Sequence, residues 1–338
     1  MNIQRQHLYR LLPVFLGLVL LTTGCGDPYL STLEPSGPVA SEQLFLMKLA
    51  LYIMIGVFLV VITIFFYVII RFRKREGQTE LPVQVEGNHK LEIIWTVIPL
   101  ILLLIIAVPT VSSTFKLAKN HSNDQNAVLV KVTGHQFWWE FEYPKLGVVT
   151  AQELYIPVGK KIQFELTSAD VIHSFWVPAL GGKTDNNPGM TNTMWLQADK
   201  PGTYKGKCAE LCGTSHALMD FKVIAVSPEE FDKWVNKMKK PAVTELSAQA
   251  KQGEQVFQKS CIGCHAIGGQ GGKVGPNLTN FGDRELVVGI KTNNKEELEK
   301  WIRNPQEVKP GNKMPQVQLT PEQLSSVVEY LGSLKSKE

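Results

Sequence analysis

The chain holds five cysteines, and two groups of them stand beside residues that give them redox chemistry. Cys208-Ala-Glu210-Leu-Cys212-Gly-Thr-Ser-His216-Ala-Leu-Met219 puts two thiols, an imidazole and a thioether within twelve residues. Soft donors of this kind suit copper better than magnesium or calcium, and a thioether is not among zinc's usual ligands. A second imidazole is available at His173, in the run His173-Ser-Phe-Trp-Val-Pro178. A Cys208–Cys212 disulfide is the alternative on an oxidising face, but it leaves His216 and Met219 without a role. Cys261-Ile-Gly-Cys264-His265 is the c-type haem attachment pattern: both thiols form thioethers and the histidine supplies one axial ligand. A redox-active thiol pair would not need the adjoining histidine, and a zinc knuckle would need more ligands nearby.

Those residues need a frame. In a chain of 338 residues, 44% hydrophobic, the apolar content is concentrated in the first third. Residues 1–25 have the form of an export signal: Arg5 and Arg10, an apolar stretch from Leu11 to Leu21, then Thr22-Thr23-Gly24-Cys25. A cysteine after small residues resembles the lipobox of bacterial lipoproteins, which implies lipidation at Cys25; a plain signal peptide or an uncleaved anchor is the alternative. Leu44–Ile70 and Ile93–Phe115 are each long enough to cross a bilayer, which gives two transmembrane helices within 44–115. Segment 26–43 lacks Lys and Arg, whereas 71–90 contains Arg71, Arg73, Lys74, Arg75 and Lys90. That bias puts the 71–90 loop inside and everything after about residue 115 on the outer face.

From about 120 to 236 the pattern changes to short alternating segments, clearest at Val128–Val132, Phe137–Tyr143, Lys161–Thr167 and Thr193–Leu196, with Pro and Gly between them. Several short strands in about 100 residues predict a Greek-key β-sandwich or barrel. A Lys/Pro-rich linker over 237–247 leads to an all-α region over 248–338. The net charge of +4 is mixed in sign, without a basic block of the sort that binds nucleic acid. Residues 245–338 hold 12 Lys/Arg and 11 Asp/Glu, so the last region is nearly neutral.

The run C-x-E-x-C-x3-H-x2-M, with a histidine 35 residues before its first cysteine, resembles the CuA site of cytochrome c oxidase subunit II. The resemblance implies a cupredoxin-like domain and a binuclear copper centre bridged by Cys208 and Cys212. It adds His173 and His216 as one imidazole per copper, with Met219 and the Glu210 carbonyl completing the set. Gly134-His-Gln-Phe-Trp-Trp-Glu-Phe141, Lys183-Thr-Asp-Asn-Asn-Pro-Gly189 and Glu92-Ile-Ile-Trp95-Thr-Val-Ile-Pro99 resemble further segments of the same family. In that family the glutamate matching Glu210 also reaches a magnesium ion shared with subunit I, and the one matching Glu92 stands at the inner mouth of a proton pathway. A helix-start carboxylate favoured by the macrodipole is the plainer reading of Glu92. Phe137 departs from the pattern, since many relatives carry Trp there to receive electrons from a soluble cytochrome c. Gly275-Pro-Asn-Leu278 and Lys313-Met314-Pro315 resemble the proximal loop and axial-methionine segment of class I cytochromes c, which makes Met314 the expected second axial ligand.

The resemblance therefore implies the electron-input subunit of a proton-translocating respiratory oxidase, carrying one covalent haem c and one copper pair. It would sit in a bacterial cell membrane with subunit I and other oxidase subunits, and take electrons from the respiratory chain. A membrane-anchored electron carrier or redox sensor is the alternative. A nitrous oxide reductase domain is disfavoured by the two spans, and a quinol oxidase subunit by the copper ligands it lacks.

Overall fold

The computed structural model describes residues 26–75, 77, 83–84, 86–239 and 245–336, together with Pro13 and Gly17. The export signal and Cys25 fall outside the described residues.

Two long helices come first, α1 (Pro38–Arg71) and α2 (His89–Leu117). Each holds a long, strongly apolar stretch, and their lengths of 34 and 29 residues exceed what a bilayer requires. Pro38 and Gly37 open α1, while the Asn88 side chain caps α2 by accepting from the amides of Lys90 and Leu91. Near the start of α1, Glu42 accepts from Ser113 (2.5 Å) and Lys116 (2.9 Å) of α2, so the two helices are latched at that end. The same end is tied to the next domain, where the Ala40 amide donates to the Leu180 carbonyl at 3.1 Å and the Ser36 amide to Ala179 at 2.7 Å.

Ten strands then build two five-stranded sheets. β1 (Val128–His135), β2 (Trp138–Tyr143), β3 (Val148–Ala151), β5 (Ile162–Ser168) and β8 (Asn192–Leu196) form one, in the order β3-β2-β1-β5-β8. The other is β4 (Glu153–Pro157), β10 (Asp220–Val226), β9 (Gly202–Cys208), β6 (His173–Trp176) and β7 (Thr184–Asn186), in the order β4-β10-β9-β6-β7. Alternation explains the layering, because β2 and β10 bury every second residue. Between the sheets Trp139, Phe141, Phe175 and Phe221 meet with ring centroids 4.8–6.4 Å apart. The second expected strand begins at Trp138 instead of Phe137, since Phe137 lies in the turn between β1 and β2.

Helix α3 (Pro228–Lys239) closes the sandwich, and it carries Lys237–Lys239 into regular structure where the sequence reads as linker. Phe231, Trp234, Val235 and Met238 recur at helical spacing and pack on the sandwich core, which extends the helix through the basic cluster. The last region is helical, with α4 (Ala248–Ser260), α5 (Lys295–Arg303), the short α6 (Pro305–Val308) and α7 (Pro321–Ser333). Helices α4 and α7 cross at Gly253, where a Cβ would meet the Ser326 carbonyl and stand 2.8 Å from the Tyr330 Cβ. Phe257 and Tyr330 pack beside that crossing, with ring centroids 5.7 Å apart.

Candidate functional site

Strand β9 ends on Cys208, and the loop to β10 carries Cys212, His216 and Met219. His173 opens β6, the neighbour of β9, and is fully buried. Sheet pairing thus carries a residue 35 positions upstream to the copper-type loop. The donor atoms form a chain of close approaches. The Cys208 Sγ is 3.8 Å from His173 Nδ1, 3.3 Å from the Glu210 carbonyl and 3.8 Å from Cys212 Sγ. The Cys212 Sγ is in turn 3.6 Å from His216 Nδ1 and 3.8 Å from Met219 Sδ. Both cysteines are free thiols, so the disulfide alternative does not describe this structure.

The electrostatics favour a thiolate. The hydrogen bond from Cys212 holds the Cys208 thiol far below its ordinary value, helped by His173 and by the backbone at Glu210 and Ser174. The same sharing pushes Cys212 up. Asp170 accepts from His173 Nε2 at 2.8 Å, which turns Nδ1 towards the sulfurs. Burial alone would raise the Asp170 carboxyl, but hydrogen bonds from His173, Lys313 and the amides of Gln136 and Val171 bring it far below the carboxylate range. Gln136 also braces the loop, donating from Nε2 to the Cys212 carbonyl at 2.6 Å. Asp170 and Gln136 are functional neighbours that sequence reading missed. A turn polar residue three positions before a ligand histidine is the faint signal that could have marked Asp170.

The carboxylate of Glu210 points the other way, half exposed and 3.6 Å from Lys183 Nζ. Glu92 lies in the first turn of α2, far along the chain from these donors and 3.7 Å from His89.

The second site is an apolar cavity in the helical region, lined by Cys261, Cys264, His265, Pro276 and Met314 among others. His265 Nδ1 is bonded to the Pro276 carbonyl at 2.9 Å, leaving Nε2 free to face a ligand. Gly275 makes room for that ring, since a Cβ there would lie 2.6 Å from the His265 Cε1. Burial, and then the nearby Cys264, pushes the Cys261 thiol up to about 11. Two thiols, an oriented imidazole and a thioether around one apolar cavity fit a covalently held haem. The convergence of soft donors at the first site equally fits a copper pair.

The cavity is not closed by its own domain. Gln136, Phe137 and Trp138, from the turn and strand preceding Trp139, line it as well. Trp139 in turn packs against His173, with ring centroids 5.9 Å apart. Phe137 borders both candidate sites, since a Cβ on Gly213 in the sulfur loop would stand 3.1 Å from its ring.

Family models match along the chain: the transmembrane domain of cytochrome c oxidase subunit II over residues 30–112, its periplasmic domain over 148–226, and cytochrome c over 250–335. The cytochrome c oxidase subunit 2 of Alkalihalophilus pseudofirmus is 51% identical, with 95% of this chain and 96% of that protein covered. That of Bacillus sp. strain PS3 is 52% identical over 97% of this chain and 98% of its own length. The quinol oxidase subunit 2 of Bacillus cereus is 38% identical but covers 67% of this chain and 79% of its own. Similarity that runs through spans, sandwich and helical region alike leaves one assignment: the chain belongs to the cytochrome c oxidase subunit II family and carries a cytochrome c region at its C-terminal end.

Proposed function

We propose that this chain is the electron-input subunit of a respiratory terminal oxidase, taking electrons at its own covalent haem c, passing them to a binuclear copper centre, and delivering them to the oxygen-reducing subunit I. When bound, both groups supply one-electron chemistry and neither makes bonds to oxygen. Cys261 and Cys264 would hold the haem through their thiols, and His265 and Met314 would ligate its iron. His173, Cys208, Cys212, His216, Met219 and the Glu210 carbonyl would hold the copper pair. The single observation that carries this reading is the position of Phe137, which lines the haem-type cavity and also lies against Gly213 in the loop between Cys212 and His216.

The residues of the chain do the rest. Asp170 braces His173 and Gln136 braces the sulfur loop, so that the donor set keeps its shape between redox states, and His265 is held in one tautomer by the Pro276 carbonyl. A thioether ligand from Met314 would raise the potential of the haem. Both domains stand on the outer face of a bacterial cell membrane, a reading supported by the lysines and arginines of 71–90. The half-exposed Glu210 carboxylate is left for a magnesium ion shared with subunit I, and Glu92 for a proton pathway on the inner side. Cys25 carries the lipid.

Purification from native membranes tests the assignment. An oxygen-reducing, haem-containing subunit should accompany the chain, whose outer fragment should show a c-type optical spectrum and a two-copper EPR signal. A chain that purifies alone from gently solubilised membranes, with the haem spectrum intact, would overturn it in favour of a free-standing carrier.

A further inference from the structure

The cytochrome region touches the sandwich at two separate patches. The first is the strap Lys309–Lys313 that leads into Met314. Lys309 is 2% exposed, and its ammonium donates to the Phe137 carbonyl at 2.9 Å. Lysine heads are seldom buried to this degree. The next residue, Pro310, accepts from Ser215 Oγ at 2.7 Å, one position before His216. Lys313 pairs with Asp170 at 2.8 Å. At Gly311 a Cβ would stand 3.3 Å from Thr214 Oγ1 and 3.6 Å from the Phe137 ring, so the strap lies in contact with the loop between Cys212 and His216.

The second patch is formed by residues 285–289 against β4 and β10. The Glu285 amide donates to the Glu153 carboxylate at 3.0 Å, and the Glu285 carboxylate pairs with Lys222. Gln152 Nε2 donates to the Val288 carbonyl at 3.2 Å while its Oε1 accepts from the Trp139 amide at 2.8 Å. Contacts through two patches on different loops fix rotation as well as distance. A flexibly tethered domain that finds its partner by search would not need them.

We propose that the 309–313 strap is a positioning device, with Lys309 as its key, that holds the cytochrome region in one seated pose on the copper-type loop and closes the Phe137 face of the sandwich to external redox proteins. The redox consequence rests on the function proposed above, but the seat itself does not. The seat and a tethered search differ in how they respond to linker length. Under search, encounter falls roughly as the −3/2 power of tether length, on the order of twentyfold when a short linker gains about 40 residues. A seated domain is indifferent to such insertions.

The test uses the full chain in membranes, with flexible Gly/Ser insertions of about 10, 20 and 40 residues after Lys240. Carbodiimide joins Lys222 to Glu285 without a spacer, and peptide mass mapping measures the yield. We expect the yield to change less than twofold across the series, and the intramolecular transfer rate after flash reduction to be equally flat. With the longest insertion, Lys309→Glu and Gly311→Asn should each lower the yield at least fivefold while the c-type optical spectrum stays unchanged. Asn accepts the positive φ of Gly311, so that variant spares the fold while crowding Thr214. A yield that falls with linker length in the parent overturns the seat. A flat parent with no loss in either variant overturns the role of the strap. Neither result depends on copper or haem, so missing spectra would count against the proposed function alone.

Discussion

At the scale of single residues, the donor set depends on neighbours that donate nothing to a metal. Asp170 is bonded to His173 Nε2 and Lys313 at once, so it orients a ligand and touches the strap that precedes Met314. A residue that orients a metal ligand in this way is worth about 10–100-fold in metal affinity. Asp170→Asn should therefore weaken copper retention by about that factor, read by chelator competition, with an unchanged haem spectrum. Met219 is fully buried beside Cys212, and leucine nearly matches its volume, so Met219→Leu should cost less than ~1.5 kcal/mol in packing. A changed copper EPR signal and slower haem-to-copper transfer would then report lost ligation, and an unchanged signal would remove Met219 from the set. Lys309 adds a pH dependence. Burial holds its ammonium down to about 7, against smaller upward pulls from Asp220 and Cys212. A cation whose pKa falls on seating binds fewer protons when seated. Seating should thus strengthen as pH rises through about 7 towards the ordinary lysine value, by at most about tenfold per pH unit. Below about 7 the dependence should flatten, and in Lys309→Met it should vanish. Cross-link yield against pH measures it.

At the scale of elements, close approaches decide what the helices and strands tolerate. The crossing of α4 and α7 needs the missing side chain of Gly253, whose Cβ would run into the Ser326 carbonyl. Gly253→Ala should destabilise the cytochrome region by about 1–3 kcal/mol, seen in denaturant unfolding followed at the haem absorbance, while the copper signal survives. The sequence announced these elements unevenly. Both spans were plain because long apolar runs state their own length, and the sandwich strands showed through their alternation. The end of α3 was not, because Lys237 and Lys239 look like linker until Trp234 and Met238 are seen packed on the sandwich core. Phe137 was read as strand for the same reason: an aromatic run carries no local mark of where the chain turns.

At the scale of the whole molecule, the latch at Glu42 and the ties of Ser36 and Ala40 join the spans to the sandwich, and the two interdomain patches join the sandwich to the cytochrome region. The orientation proposed for the membrane can be tested on both sides. Val83→Cys, in the basic inter-span loop, should resist a membrane-impermeant maleimide in intact cells and react after permeabilisation, whereas Ser122→Cys should react in both. Labelling of Val83→Cys in intact cells would invert the topology. What the sequence determined by itself was chemistry of short range: which donors exist, at what spacing, and which runs can span a bilayer or alternate in a sheet. Those properties are carried by residues within a turn or a strand of one another, so they can be read along the chain. Only the tertiary structure decided that Asp170 meets both His173 and Lys313, 143 positions further on, and that Lys309 is buried against Phe137 across 172 positions. Such contacts come from sheet pairing and domain packing, whose driving force is burial without direction. Nothing in the local sequence encodes which distant surface will supply the partner.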